Sequence, residues 1–584
     1  MKRLLHKIKS RSVKEILREY AWLIRCSMRY KGKILWYSLM GVLGTLMSLA
    51  GSLLSKYIID AVTGQDIGSI GTALIFFVLM QFSQIGIHAL SSRISTKISI
   101  QVNQQITTDV YDTLLKTDWE SLSQYHSGDL LTRINGDVAT VSSSVLGWIP
   151  DLFTRLLQFI GTFGVILYFD KTLALLALLT APITLIMSRY VMKKMREYNK
   201  KMRQLSSQMT VFKQESFQNI QLLKAFDRTS AYQKKHRALL SEYEKASLDF
   251  NDFTIRKNTI MSLVGTVVAL VCFSWSIYRL WTGHITYGTV ILFIQLSGSL
   301  SAAFSALAAM IPGAINAATA AGRIMAITQL PQEDTSQSQQ IHQWFSEQAD
   351  TGLSVTAKDL SYHYEDGTQV LSHVNFRVDA GQIVALAGPS GEGKTTLLRL
   401  LLGIVLPKGG TLDVCAADNT SVAVSPATRR LFAYVPQGNT LFAGTIEENL
   451  RLIKPEATEE ELYRALELAC AADFVKALPQ GLKTPVQERG GGFSEGQLQR
   501  ICIARALLSD ASILLMDEAT SALDVETERK VLHNIRKAKA NRTCILTTHR
   551  PSALDISDQI FFVSNDTVEP ITMEALKNKL YLTK

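Results

Sequence analysis

Cysteine is sparse in this chain of 584 residues: only Cys26, Cys272, Cys415, Cys470, Cys502 and Cys544, with no CxxC pair among them. Thiols so scattered exclude a disulfide framework and a thiolate metal centre, and they fit a reducing compartment. Charge is short as well. Asp, Glu, Lys and Arg supply 19% of the residues, against roughly a quarter in ordinary soluble domains. With 47% hydrophobic residues and a mean hydropathy of +0.12, the balance points to a membrane part. At roughly 100 to 200 residues per domain, the length allows a few domains and a large core.

Acid is nearly missing from the first 33 positions, where Glu15 and Glu19 stand against eleven Lys or Arg. That is 11 minus 2, so +9 of the formal net charge of +10 lies there. The segment runs straight into an apolar stretch with no small-residue cleavage site, which argues against a removable signal peptide. Leu4, Leu5, Ile8, Ile16, Leu17, Trp22 and Leu23 form an apolar face between the basic residues, as in a helix lying in the inner headgroup layer. The basic excess therefore reads as an anchor on a lipid bilayer, and no nucleic-acid partner is expected.

A helix needs about 20 residues to cross the hydrocarbon core. Uncharged runs of that order are bounded by Lys33 and Lys56, by Asp66 and Arg93, and by Lys257 and Arg279. Arg279 to Arg323 has room for an outer loop and a further span, and Ile149–Phe169 with Thr172–Ser188 makes a hairpin around Phe169-Asp170-Lys171. Six spans are expected. No Lys or Arg occurs from Tyr57 to Ser92, whereas Arg189 to Lys257 is crowded with them, so both ends of the membrane part should face the cytoplasm. That basic connection reads as two helices continuing inward by about 50 Å each, with their tip at Gln218–Phe226. A second tip is expected at Asp118–Tyr125.

A polar stretch, Pro331–Gln340, reads as a linker, and from Leu353 short β-branched strands alternate with helices, as in an α/β domain. The expected plan is a basic elbow (1–33), a membrane helical domain (34–328), a linker (329–352) and an α/β P-loop nucleotide-binding domain (353–584). The P-loop is Gly388-Pro389-Ser390-Gly391-Glu392-Gly393-Lys394-Thr395-Thr396, between a strand and a helix. Glycines let backbone N–H groups approach phosphates, Lys394 reaches the β and γ phosphates, and Thr395 ligates Mg²⁺. Ser512–Glu518 is an apolar strand ending in two acids at the carboxyl edge, where open α/β sheets bind ligands. Asp517 suits Mg²⁺, and Glu518 suits a water to be oriented or deprotonated.

With Glu488-Arg489-Gly490, Phe493-Ser494-Glu495-Gly496-Gln497-Leu498-Gln499-Arg500, Ser521-Ala522-Leu523-Asp524 and Thr548-His549 following in that order, the whole chain resembles a bacterial ABC half-transporter of the exporter type. The resemblance implies that Tyr364 stacks on adenine, that Gln437 contacts Mg²⁺ and water, and that His549 meets the γ-phosphate. By the same resemblance Ser494, Gly496 and Gln497 complete the ATP site of a second half, Glu488 contacts the long intracellular helices, and the two tips are coupling helices. The family signature is usually Leu-Ser-Gly-Gly-Gln, and here Phe493 and Glu495 depart from it. A carboxylate about 4 Å from a phosphate charge would be repelled by roughly 4 kcal/mol at an effective ε of 20, so Glu495 is expected to point away.

The implied activity is ATP-driven export by alternating access, as a homodimer or heterodimer in the cytoplasmic membrane, with ATP and Mg²⁺. The alternatives are a weakly hydrolysing or regulatory half and an importer on the same fold. No peptidase domain precedes the membrane part, so peptide export with leader cleavage is not expected of it. Gln81, Gln84, His88, Asp151, Arg155 and Gln295 are polar within spans and so candidates for the substrate, with Arg155 favouring anionic amphiphiles.

Overall fold

The computed structural model describes residues 13–64, 70–348, 351–438, 440–487, 491–538 and 541–582. Glu488 lies outside them. The chain divides into two compact units: residues up to Tyr111 with Ser127–Thr328, and Asp112–His126 with Gln329 onward.

In the first unit α1 (Val13–Met28) precedes the long α2 (Lys31–Thr63) and α3 (Ile70–Lys116). The connection after α3 carries α4 (Trp119–Ser123) and α5 (Ser127–Thr132), then a π-helical turn (Arg133–Asp137) that leads into α6 (Val138–Phe169). There follow α7 (Lys171–Gln218), the short α8 (Ile220–Ala225), α9 (Thr229–Trp281) and α10 (Tyr287–Thr328). Among the described residues five helices are apolar and long enough to cross a bilayer: α2, α3, the Pro150–Phe169 part of α6, α9, and Tyr287–Leu307 of α10. The sixth expected span, Thr172–Ser188, lies in α7, where the side chains of 177–193 are outside the described residues. With 48 and 53 residues, α7 and α9 are roughly 70 and 80 Å long.

Polar side chains fasten these helices at their ends, where water can help solvate them. Asp170, in the turn between α6 and α7, accepts from the N–H groups of Thr172 and Leu173 and from Arg279 of α9 at 2.6 Å. Asp60 of α2 accepts from Lys56 at 2.7 Å and from the Gly288 N–H of α10 at 2.7 Å. In the π-helical turn the buried Asp137 pairs with Arg323 of α10, and Arg133 donates to the Arg323 carbonyl at 2.9 Å. Such a bulge breaks the regular helical ladder, and here both contacts run to one residue of α10, the Arg323 side chain and its carbonyl.

The second unit begins with α4, held by backbone. Thr117 bridges Gln332, the Asp118 N–H donates to the Pro331 carbonyl at 3.0 Å, and the Glu333 N–H donates to the Lys116 carbonyl at 2.9 Å. Glu333 then takes both guanidinium nitrogens of Arg429 at 2.6 and 2.7 Å, a bidentate pair. The stretch read as a linker also contains α11 (Ser338–Gln348). Its Ile341, Trp344 and Phe345 share one helical face and pack on the cassette core, a spacing hidden among polar neighbours.

Strands β1 (Ser354–His363), β2 (Gln369–Val378), β4 (Gly409–Cys415) and β5 (Ser421–Ala423) form an antiparallel sheet in the order β2-β1-β4-β5. The central sheet takes β3 (Ile383–Ala387), β6 (Phe432–Val435), β9 (Ile513–Asp517), β10 (Thr543–Thr547), β11 (Gln559–Ser564) and β12 (Thr567–Pro570), in the order β12-β11-β3-β10-β9-β6. All its pairings are parallel except β11 with β12, and β7 (Gly444–Thr445) and β8 (Pro485–Val486) pair with each other apart from both sheets. Buried strands β3, β9 and β10 therefore end at one carboxyl edge, with β10 in the middle.

Candidate active site

At that edge β3 delivers the chain into the P-loop, and Gly393 caps α12 (Lys394–Leu401). The buried Lys394 ammonium donates to the carbonyls of Gly388 and Pro389 at 2.6 and 2.7 Å. Burial lowers its pKa, while Glu518, Asp517 and Glu392 oppose that shift. The Glu392 side chain accepts the Asn565 N–H in the β11–β12 turn at 2.9 Å, so this residue offers the loop its backbone. Tyr364 lies close by, its hydroxyl 2.9 Å from that of Thr396.

Two positions further along the sheet, β9 ends in Asp517, and β10 aligns Thr547 with it. The Thr547 hydroxyl donates to Asp517 at 2.8 Å and accepts the Glu518 N–H at 2.8 Å. Glu518 has φ +47°, a left-handed conformation that non-glycine residues adopt at a penalty and that concentrates at functional sites. Its carboxylate accepts from the Gln437 amide at 2.7 Å and lies 3.6 Å from His549 Nε2. Burial and then the Lys394 charge lower the His549 pKa, against Glu518, so the imidazole is neutral near pH 7.

The structure thus brings Gln437, Asp517, Glu518 and His549 to the sheet edge that carries Lys394. Thr547 was not singled out from the sequence. Its one signal is a hydroxyl closing a buried strand in register with an acid. The arrangement offers a cation for phosphate and a carboxylate that can take a proton from water. The residues that would hold a divalent cation here are Thr395, Asp517 and Gln437, whose hydroxyl, carboxylate and amide oxygens would offer the oxygen donors that a hard cation takes.

The signature residues open a different element, α13 (Glu495–Leu507), which Ser494 caps. The Ser494 hydroxyl accepts the Gln497 N–H and the Gln497 side chain accepts the Ser494 N–H at 2.9 Å, a reciprocal cap that fixes the first turn. A Cβ on Gly496 would lie 2.9 Å from the Ala522 carbonyl. Gln499, buried on the same helix, donates to Ser521 at 3.0 Å and accepts the Ala522 N–H at 2.9 Å. Glu495 is exposed in the first helical turn, where a carboxylate complements the helix dipole, and Phe493 packs partly into the cassette core.

Two family descriptions match in chain order, ABC transporter transmembrane region over residues 34–304 and ABC transporter over residues 371–521. The ATP-dependent lipid A-core flippase of Desulfotalea psychrophila is 30% identical over 455 residues, covering 77% of this chain and 78% of that protein. The chain belongs to the ABC transporter family. It is similar to a multidrug resistance ABC transporter ATP-binding and permease protein of Lactococcus lactis, 26% identical over 91% of this chain and 88% of that one. It is also similar to a fatty acid ABC transporter ATP-binding/permease protein of Mycobacterium bovis, 26% identical over 80% and 72%. Its fold is that of a solved bacterial Atm1-family ABC exporter with ATP bound, with a TM-score of 0.77, 23% identity, and 95% of this chain and 97% of that one covered. As an ABC exporter half, the protein is a multi-pass membrane ATPase that couples ATP hydrolysis to transport. Its cassette is cytoplasmic, and the half-transporter form implies dimerisation.

Proposed function

We propose that this ABC exporter half moves an amphiphilic substrate, and that Glu518 is the base for the ATP hydrolysis that resets it. The observation that carries the hydrolytic role is the convergence of Gln437 and His549 on the Glu518 carboxylate. Gln437 orients that carboxylate, which then accepts the proton of an attacking water. Lys394 holds the β and γ phosphates, and neutral His549 donates a hydrogen bond toward the γ-phosphate. A Mg²⁺ ion held by Thr395, Gln437 and, through water, Asp517 would neutralise charge between those phosphates. Ser494, Gly496 and Gln497 complete the site of a second half, this chain or a partner.

The substrate class rests on polar chemistry inside the helices and on relatives named for lipid A-core, fatty acid and multidrug transport. Tyr37 of α2 and Asp151 of α6 interact across the two helices. Arg155, exposed one turn beyond Asp151, donates to Gln158 at 2.9 Å. An intramembrane cation within the field of Asp151 is a functional residue by default, and its exposed guanidinium suits an anionic headgroup. In proteoliposomes, a fatty acid is expected to stimulate ATP turnover and Arg155→Ala to remove that stimulation, leaving any from an uncharged amphiphile. Stimulation unchanged for every ligand would exclude the role of Arg155.

Glu495 is tested separately. An exposed side chain away from phosphate contributes little, so Glu495→Gly should leave ATP turnover within about twofold. A rise of tenfold or more would place the carboxylate against the phosphate instead.

A further inference from the structure

One short helix, α4, reaches a single cassette side chain by two routes, and the residue just past it holds the next position in the chain. The Trp119 ring carries the Arg399 guanidinium 4.7 Å from its centroid, and Arg399 donates to the Tyr364 hydroxyl at 3.1 Å. Glu120 accepts from the Tyr362 hydroxyl at 3.3 Å, and the Tyr362 ring meets Tyr364 edge-on, 5.2 Å between centroids at 82°. Gln124, just past the helix, donates to Glu365, the residue after Tyr364. Tyr362 is fully buried. Burial first, then the Glu120 charge, pushes its hydroxyl pKa up, so it remains a donor.

We propose that Trp119, Arg399 and Tyr364 form a relay that reads the nucleobase, with Arg399 as its positioning residue. The proposal rests on Tyr364 being the adenine platform. A ring discriminates between bases only if its face is held, and Tyr364 is pinned at its hydroxyl by Thr396 and Arg399 together. A planar guanidinium can stack on an indole and donate in its own plane at the same time, which an ammonium cannot do. A purine pressed on Tyr364 therefore acts on Arg399 and Tyr362, and through them on Trp119 and Glu120. α4 lies in the chain connection between α3 and α6, so the base alters the seat of a segment that links two membrane helices. Coupling of this kind is reciprocal, so disturbing Trp119 must change how well the base is read.

The test is steady-state hydrolysis of ATP and of CTP by the full-length reconstituted chain, expressed as a ratio of kcat/KM values so that any inactive fraction cancels. Trp119→Ala and Arg399→Lys are each expected to lower the ATP/CTP ratio about three- to tenfold, mainly through the KM for ATP. Trp119→Phe should keep it. Arg399→Lys preserves charge and much of the volume, so it reports even if Trp119→Ala fails to fold. A wild-type ratio in Arg399→Lys and Trp119→Ala, with collapse in Tyr364→Ala, overturns the relay and leaves the adenine platform standing. A wild-type ratio in Tyr364→Ala removes the platform, and the relay with it.

Discussion

Glu518→Gln is expected to lower ATP turnover about 10²- to 10⁴-fold, the usual contribution of a positioned general base, while ATP still binds. The substitution is nearly isosteric and can keep a hydrogen bond with Gln437, so it removes a proton acceptor and little else. Two features argue that it leaves the fold intact. The Glu518 N–H, not its carboxylate, is the group tied to Thr547, and the left-handed φ belongs to the backbone. Phosphate release and nucleotide binding, measured on the same reconstituted protein, separate the two effects. Equal turnover in the variant and the parent would exclude Glu518 as the base.

The local part of this site is legible in the sequence because its residues are neighbours in the chain. A P-loop and an apolar strand ending in two acids each fit within ten residues, and a parallel sheet places both at one edge. Thr547 and Arg399 are not legible in the same way. Thr547 matters through its register with Asp517, and Arg399 through a tryptophan 280 positions earlier in the sequence. The membrane spans show in their lack of charge, but the stretch read as a linker hides a helix, because Ile341, Trp344 and Phe345 sit among polar residues. The departure at Glu495 is equally plain in sequence, and in the single chain its carboxylate is exposed in the first turn of α13.

Gly388→Ala should be far more damaging than Gly391→Ala, although both glycines belong to the same loop. Gly388 has φ +144° and Gly391 φ +91°, so either alanine carries a backbone penalty of about 1–3 kcal/mol. A Cβ on Gly391 meets nothing within 4 Å, whereas one on Gly388 drives into the Val563 carbonyl of β11. That carbonyl belongs to a buried strand and cannot rotate away, which adds overpacking of about 1–3 kcal/mol. With a total near 4 kcal/mol, the cassette transition of Gly388→Ala should fall by about 10 °C, and that of Gly391→Ala by about half as much. Thermal unfolding of the two full-length variants with nucleotide absent checks this. Equal shifts would show that the contact with β11 is harmless.

The backbone bridge between Thr117 and Gln332 sets a timetable during synthesis. Asp112–His126 leaves the ribosome about 200 residues before the segment it joins, a wait of roughly 10–40 s at 5–20 residues per second. During that interval Trp119 and Glu120 have no cassette to sit on, while the helices on either side are entering the bilayer. A cassette produced alone from residue 353 meets the opposite shortage, with Arg399 bare of its indole and Arg429 of Glu333. Supplying residues 112–126 on a separate peptide is then a way to ask whether the cassette matures by capturing a strip of chain made long before it.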